Sequence, residues 1–166
     1  MSRYEELAEV AKGAEQKLSD RNKRVLNFVA QFLNKFSSYC GIPSDRLKLL
    51  PWVEEEQVFQ ARTDELIGLP QAIHFDEKND EWGIGVCIIL TSSNSFPRRA
   101  VTSGLFVKED DYHYSIRMGA LDFKQIDLNV QPQCEDYFES IFKQLKEAFE
   151  KPRRNTNGKY GFRIET

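Results

Sequence analysis

Histidine is scarce in this chain: His74 and His113 are the only two in 166 residues. A nucleophile–His–acid triad or a His-rich metal site therefore has little to draw on. Cysteine is sparse too. Cys40, Cys87 and Cys134 are odd in number and widely spaced, with no CxxC pair and no Cys/His cluster. That pattern excludes the usual structural zinc arrangements and offers no disulfide framework, so no cofactor is expected and the thiols are read as free. Free thiols point to a reducing, cytoplasmic compartment. No GxSxG, HExxH, P-loop or GxGxxG run occurs, which removes the common hydrolase, metalloprotease and nucleotide-binding signatures. No apolar run approaches the roughly 20 residues of a membrane helix. The opening MSRYEELAEV has no apolar core of a secretory leader. A strong excess of one charge sign is also missing. Lys+Arg is 23 against 26 Asp+Glu, a net charge of −3, which disfavours a broad electrostatic grip on nucleic acid.

What is present is a globular composition, 40% hydrophobic and 12% aromatic, with 12 Phe to build a core. The length favours one domain, residues 1–166. Within it we read a helical segment over 1–40, an antiparallel sheet over 52–130, a helix over 131–151 and a basic tail over 152–166.

From Tyr4 to Phe36 the apolar residues recur at helical, nearly heptad, spacing. Ser19-Asp20-Arg21-Asn22 interrupts that stripe. One long helix with a polar break fits, and so do two helices with Ser19 or Asp20 as a cap. VLNFVAQFLNKF is apolar enough to face a core. The thinner stripe of EELAEVAKGAEQKL either extends outward to pair with another chain or folds back on its own domain. Gly41 and Pro43 end the helix. Ser44 to Pro51 reads as a helical turn or loop, and a first strand is expected around Gln57–Arg62.

AIHFDEKNDEWGIGVCIIL reads as a hairpin closed by Asp76 and Glu81. That register pairs Phe75 with Trp82, His74 with Gly83, Ile73 with Ile84 and Ala72 with Gly85. One face is large and apolar. The other has Gly83 and Gly85, which admit a close neighbour, either a helix or a small ligand. AVTSGLFVKEDDYHYSIRM repeats the arrangement with a turn at Glu109-Asp110, placing Leu105, Val107, Tyr112, Tyr114 and Ile116 together. Phe106, His113, Ser115 and Arg117 take the wetter face. ALDFKQIDL reads as a further strand and YGFRIE as a short last one. Phe138, Ile141, Phe142, Leu145 and Phe149 form one stripe of the C-terminal helix. Strands bracketed by helices, without βα alternation, predict an α+β two-layer sandwich: a meandering antiparallel sheet of about five strands with both helices on one face.

The sharpest chemical run is Asp122-Phe123-Lys124, whose acid and base share one side of a strand. It resembles the second half of the signature of PD-(D/E)xK nucleases. The resemblance implies Mg²⁺ held by Asp122 and an attacking water steadied by Lys124. It needs a second acid, and the nearest upstream, Asp110 and Asp111, fall at a hairpin tip. Glu54-Glu55-Glu56 reads as a solvated edge or a cation ligand. Lys151, Arg153, Arg154, Lys159 and Arg163 make a basic tail that reads as a solvated helix end or an anion contact. NSFPRRAV sets Phe96, Arg98 and Arg99 in a connection between two strands, a composition suited to a protein partner with an acidic surface.

With no catalytic apparatus visible, the expected function is that of a non-enzymatic interaction protein, adaptor- or chaperone-like, with self-association through the N-terminal helix and no membrane or nucleic-acid role. The alternatives are the metal-dependent nuclease and a small-molecule binder with its pocket at Gly83 and Gly85.

Overall fold

A computed structural model describes residues 1–60, 67–90, 100–119 and 121–150, together with the backbone of 163–165. Helix α1 (Arg3–Cys40) leads through a 3₁₀ turn (Ser44–Arg46) into β1 (Leu47–Leu50), β2 (Trp52–Val53) and β3 (Val58–Phe59). The short α2 (Leu69–Ala72) precedes β4 (His74–Asp76), β5 (Glu81–Ile89), β6 (Ala100–Asp110), β7 (His113–Met118) and β8 (Lys124–Gln125). Then come α3 (Gln131–Glu150) and β9 (Arg163–Glu165).

The fold is α+β. The long strands β5 and β6 form the centre of an antiparallel sheet in the order β1-β5-β6-β7-β8. β4 shares the β5 edge with β1, and β9 pairs with β6 beyond the end of β7. Strand alternation sends Trp82, Ile84, Val86 and Ile88 of β5 to one face, with Leu105 and Val107 of β6. Helices α1 and α3 cover that face. Phe28, Phe32 and Phe36 of α1 meet Tyr137, Phe138 and Ile141 of α3 there. The rings of Phe32 and Phe138 meet edge-on at 5.4 Å, and Phe28 stacks on Tyr114 at 4.2 Å. Each such buried side chain contributes about 1.5–3 kcal/mol.

α1 is one helix, not two. A capping box formed by Ser2 and Glu5 starts it, and Gly41, at φ +66°, ends it in the left-handed conformation. The polar interruption is the place where α1 is tied to the sheet, as described below.

Several expected elements differ. The sheet begins at Leu47, since only Ser44–Arg46 turns and LKLL pairs with β5. The strand expected near Gln57–Arg62 is limited, among the described residues, to Val58–Phe59. It pairs with Trp52–Val53 as a separate two-stranded ribbon. Phe75–Trp82 and His74–Gly83 pair as expected. Gly85 instead faces Leu50, because Pro70 sits in the first turn of α2 and residues 69–72 coil away from the sheet. The second hairpin turns at Asp111-Tyr112, both with positive φ, so Asp110 pairs with His113. Tyr112 thus leaves the apolar face and Glu109 joins it. Among the described residues of ALDFKQIDL, only Lys124–Gln125 pairs as strand.

Candidate functional site

Two surfaces stand out, and both follow from how α1 and the ribbon β2–β3 meet the sheet. The first is at the polar break in α1. Arg21 makes a bidentate bond to the Asp80 carboxylate at 3.1 and 3.2 Å. It also donates to the Glu109 carboxylate at 3.0 Å and to the Glu109 carbonyl at 2.9 Å. Arg24 reaches the same carboxylate at 3.2 Å, and the Tyr112 amide donates to it at 3.0 Å. Trp82 Nε1 donates to Asn22 at 3.1 Å, with the Arg21 guanidinium 4.9 Å above the indole ring. Burial pushes the Glu109 pKa up. The Tyr112 amide and the two guanidiniums outweigh it and hold the carboxyl below its ordinary range. α1 is thereby clamped to the tips of both hairpins.

N-terminal to this clamp the helix leaves the fold. Residues 1–20 are all exposed, with Tyr4 at 79%, Leu7 at 68% and Val10 at 67%. The outward extension is therefore the observed one, and the arm does not fold back. At its root is a notch of about 330 Å³ between Leu18 and Asn22 of α1 and Phe75 and Trp82 of the sheet.

The second surface is on the opposite sheet face. Phe59 of β3 lies over the two glycines: a Cβ on Gly85 would come within 2.5 Å of the Phe59 Cβ. The close neighbour of the glycine face is thus an aromatic ribbon and not a helix. Beside Gly83 the ribbon leaves a cleft of about 380 Å³. Trp52, Phe59 and His74 wall it: Trp52 meets Phe59 edge-on at 5.0 Å and stacks on His74 at 6.3 Å. Glu54, Asp76 and the buried Glu81 supply carboxylates, and Lys78 also lines the cleft. Glu54 accepts from Trp52 Nε1 at 2.6 Å and from the Gln57 amide at 3.1 Å. Asp76 accepts from the Asn79 side chain at 2.7 Å and from the Lys78 and Asn79 amides. The Asn79 side-chain bond leads in holding Asp76 below the ordinary carboxylate range.

No protein-family model, curated protein or solved structure matches the chain.

Of the residues singled out in the sequence, His74 and Glu54 come together in the cleft. Asp122 and Lys124 are exposed near the end of β7 remote from Asp110 and Asp111. Among the described residues, no three His, Cys, Asp or Glu side chains converge on a possible metal position. His113 is exposed, its Nδ1 3.0 Å from the Asp111 carbonyl. Phe96, Arg98 and Arg99 lie outside the described residues, as do Lys151, Arg153, Arg154 and Lys159. Arg163 pairs through its backbone with Thr102. Among the described residues, no helix is long and apolar enough to cross a membrane.

Sequence reading missed Trp52 and Phe59. The signal was there in WVEEEQVF: two short apolar pairs around four polar residues, upstream of a glycine pair that needs a cover.

Proposed function

We propose that the protein is a non-enzymatic interaction protein, adaptor- or chaperone-like, and that the free first half of α1 is its contact element. One observation carries the reading. The apolar stripe Tyr4, Leu7, Ala11, Ala14 and Leu18 is in phase with the residues that bury α1 in the core, yet it covers nothing. Exposed apolar stripes of this kind mark interaction surfaces.

The first occupant is a second copy of the chain. Leu7-Ala11-Ala14-Leu18 reads the same in both directions. Two arms crossing antiparallel near Lys12 and Gly13 place Leu7 on Leu18 of the second copy and Ala11 on Ala14. A twofold interface needs such self-complementarity. Small Ala and Gly residues allow close approach of the helices. Glu15 then flanks Ala8, and Lys17 flanks Val10, so no like charges face across the seam. Tyr4 arrives opposite Arg21, next to the notch at Phe75 and Trp82. The seam from Tyr4 to Leu18 is only about 21 Å long at 1.5 Å per residue. A dimer this small belongs to the weak, concentration-dependent class.

Light scattering tests the reading. The full chain, 19.3 kDa, should approach twice that mass as concentration rises, and Leu7→Glu or removal of residues 1–18 should hold it at the monomer mass. A monomer of unchanged mass in all three sinks it. The cleft beside Gly83 favours a second reading, a small-ligand binder. Among the described residues, no group of three His, Cys, Asp or Glu side chains gathers at Asp122 to favour the nuclease reading.

A further inference from the structure

The cleft beside Gly83 joins three features that each narrow its ligand. Its volume of about 380 Å³ falls within the roughly 300–1,000 Å³ of small-ligand pockets. Its walls are the ring faces and edges of Trp52, Phe59 and His74, held in mutual contact. Its polar lining is predominantly acidic, with Glu54, Asp76 and Glu81 against the single lysine Lys78, alongside the amides of Gln57 and Asn79. Glu54 and Asp76 have hydrogen bonds from neutral donors, and among the described residues neither has a salt bridge. Aromatic faces attract a cation through their quadrupole, and carboxylates held by hydrogen bonds add a full charge beside them. An anion would meet both repelled. A neutral apolar ligand would leave the excess of carboxylates over Lys78 unbalanced.

We propose that this cleft binds a methylated ammonium group, with the apolar methyl shell against Trp52, Phe59 and His74 and the charge toward Glu54 and Asp76. The proposal rests on the second reading above, that the Gly83 face takes a small ligand, and adds its chemical class. A methylated head suits the site better than a bare ammonium, which is strongly hydrated and loses that hydration on entry. The same sheet face already pairs cations with rings: Arg117 lies 4.8 Å over Phe106 and 4.7 Å over Phe123. Arg117 occupies Phe106, so the ligand's cage is the other three rings. Glu54 is a positioning residue as well as a charge, since its bond to Trp52 Nε1 fixes the indole. Gln57, at φ +55°, closes the turn and donates to the Glu54 carbonyl at 2.8 Å.

The chain has two tryptophans, so ¹⁵N NMR of the intact protein shows two indole N–H signals. Trp52 reports the cleft, and Trp82, bonded to Asn22 in the core, reports folding. The probes are choline, Nα-acetyl-trimethyllysine and the neutral choline isostere 3,3-dimethyl-1-butanol. The expected result is a saturable shift of the Trp52 signal by one or both cations, the tighter of the two identifying a free amine or a modified side chain as the source. The isostere should bind about tenfold more weakly. Glu54→Gln keeps an acceptor for the indole and should weaken the cations about tenfold while leaving the isostere unchanged. Equal affinity for cation and isostere overturns the cation assignment while the ligand cleft stands. Unchanged cation affinity in Glu54→Gln, with the Trp82 signal in place, also overturns it. Absence of saturable binding by all three probes overturns both this assignment and the ligand reading beneath it.

Discussion

Burial pushes the Glu109 pKa up, yet an amide and two guanidiniums outweigh it and hold the carboxyl below its ordinary range. Because its folded pKa is lowered, its charge contributes stability above the unfolded value, about 4.3, and that contribution is lost as pH falls through the lower folded value. Glu109→Gln should therefore cost about 3 kcal/mol at neutral pH, the lower end for a buried pair that loses one partner, because both arginines stay partly wet. Urea melts at several pH values check this, and the variant should show a flatter decline below about pH 4.3. Gly85→Ala is the matching steric case. Its Cβ would meet Phe59 and Leu50 at 2.5 and 2.7 Å, so the ribbon must shift, at a cost of about 1–3 kcal/mol. Gly83→Ala meets only ring atoms at 3.2 Å and should cost less in the same denaturation experiment. The glycine pair was legible because register follows from period-two alternation. The clamp was not, since Glu109 finds its arginines 88 and 85 residues away. The turn beside it also uses Asp111 and Tyr112 where Asn-Gly would have announced it.

Among the elements, α1 divides into a half that is anchored and a half that is free. Ser2→Ala removes the cap of the free half, an effect worth about 1 kcal/mol locally. Far-ultraviolet circular dichroism should show reduced helicity in dilute solution, with the urea midpoint of the near-ultraviolet tertiary signal unmoved. A lowered midpoint would mean that residues 1–20 are stabilising the core. The helices were legible because their stripes run for many turns, and Gly41-Ile42-Pro43 ends α1 as those residue types dictate. The short strands were not. LKLL is only four residues long and sits between two prolines, while β2 and β3 are two residues each. ALDFKQIDL has strand-like composition, but among its described residues the ladder on β7 is limited to Lys124 and Gln125, with one further backbone bond from Ile126 to Tyr114. Pairing there is decided by what the neighbouring strand offers, which no local pattern encodes.

At the scale of the whole molecule, the α+β sandwich buries its phenylalanines between sheet and helices and leaves two features the core does not need: an apolar arm and an aromatic, acidic cleft. The absence of catalytic signatures in the sequence directs attention to binding, and the arm is the part that binding would explain. Its central claim, an antiparallel pairing of two arms, is open to direct distance measurement. Nitroxide labels can be placed one at a time at Lys12→Cys or Arg3→Cys, with the three natural cysteines replaced, and interchain distances read by pulsed electron paramagnetic resonance. The account predicts a short separation at residue 12, near the interhelical spacing of about 8–10 Å plus the label arms. At residue 3 the backbones should stand roughly 30 Å apart, from the helical rise on either side of the crossing point. Equal short distances at both sites, or no interchain distance at either, would contradict it.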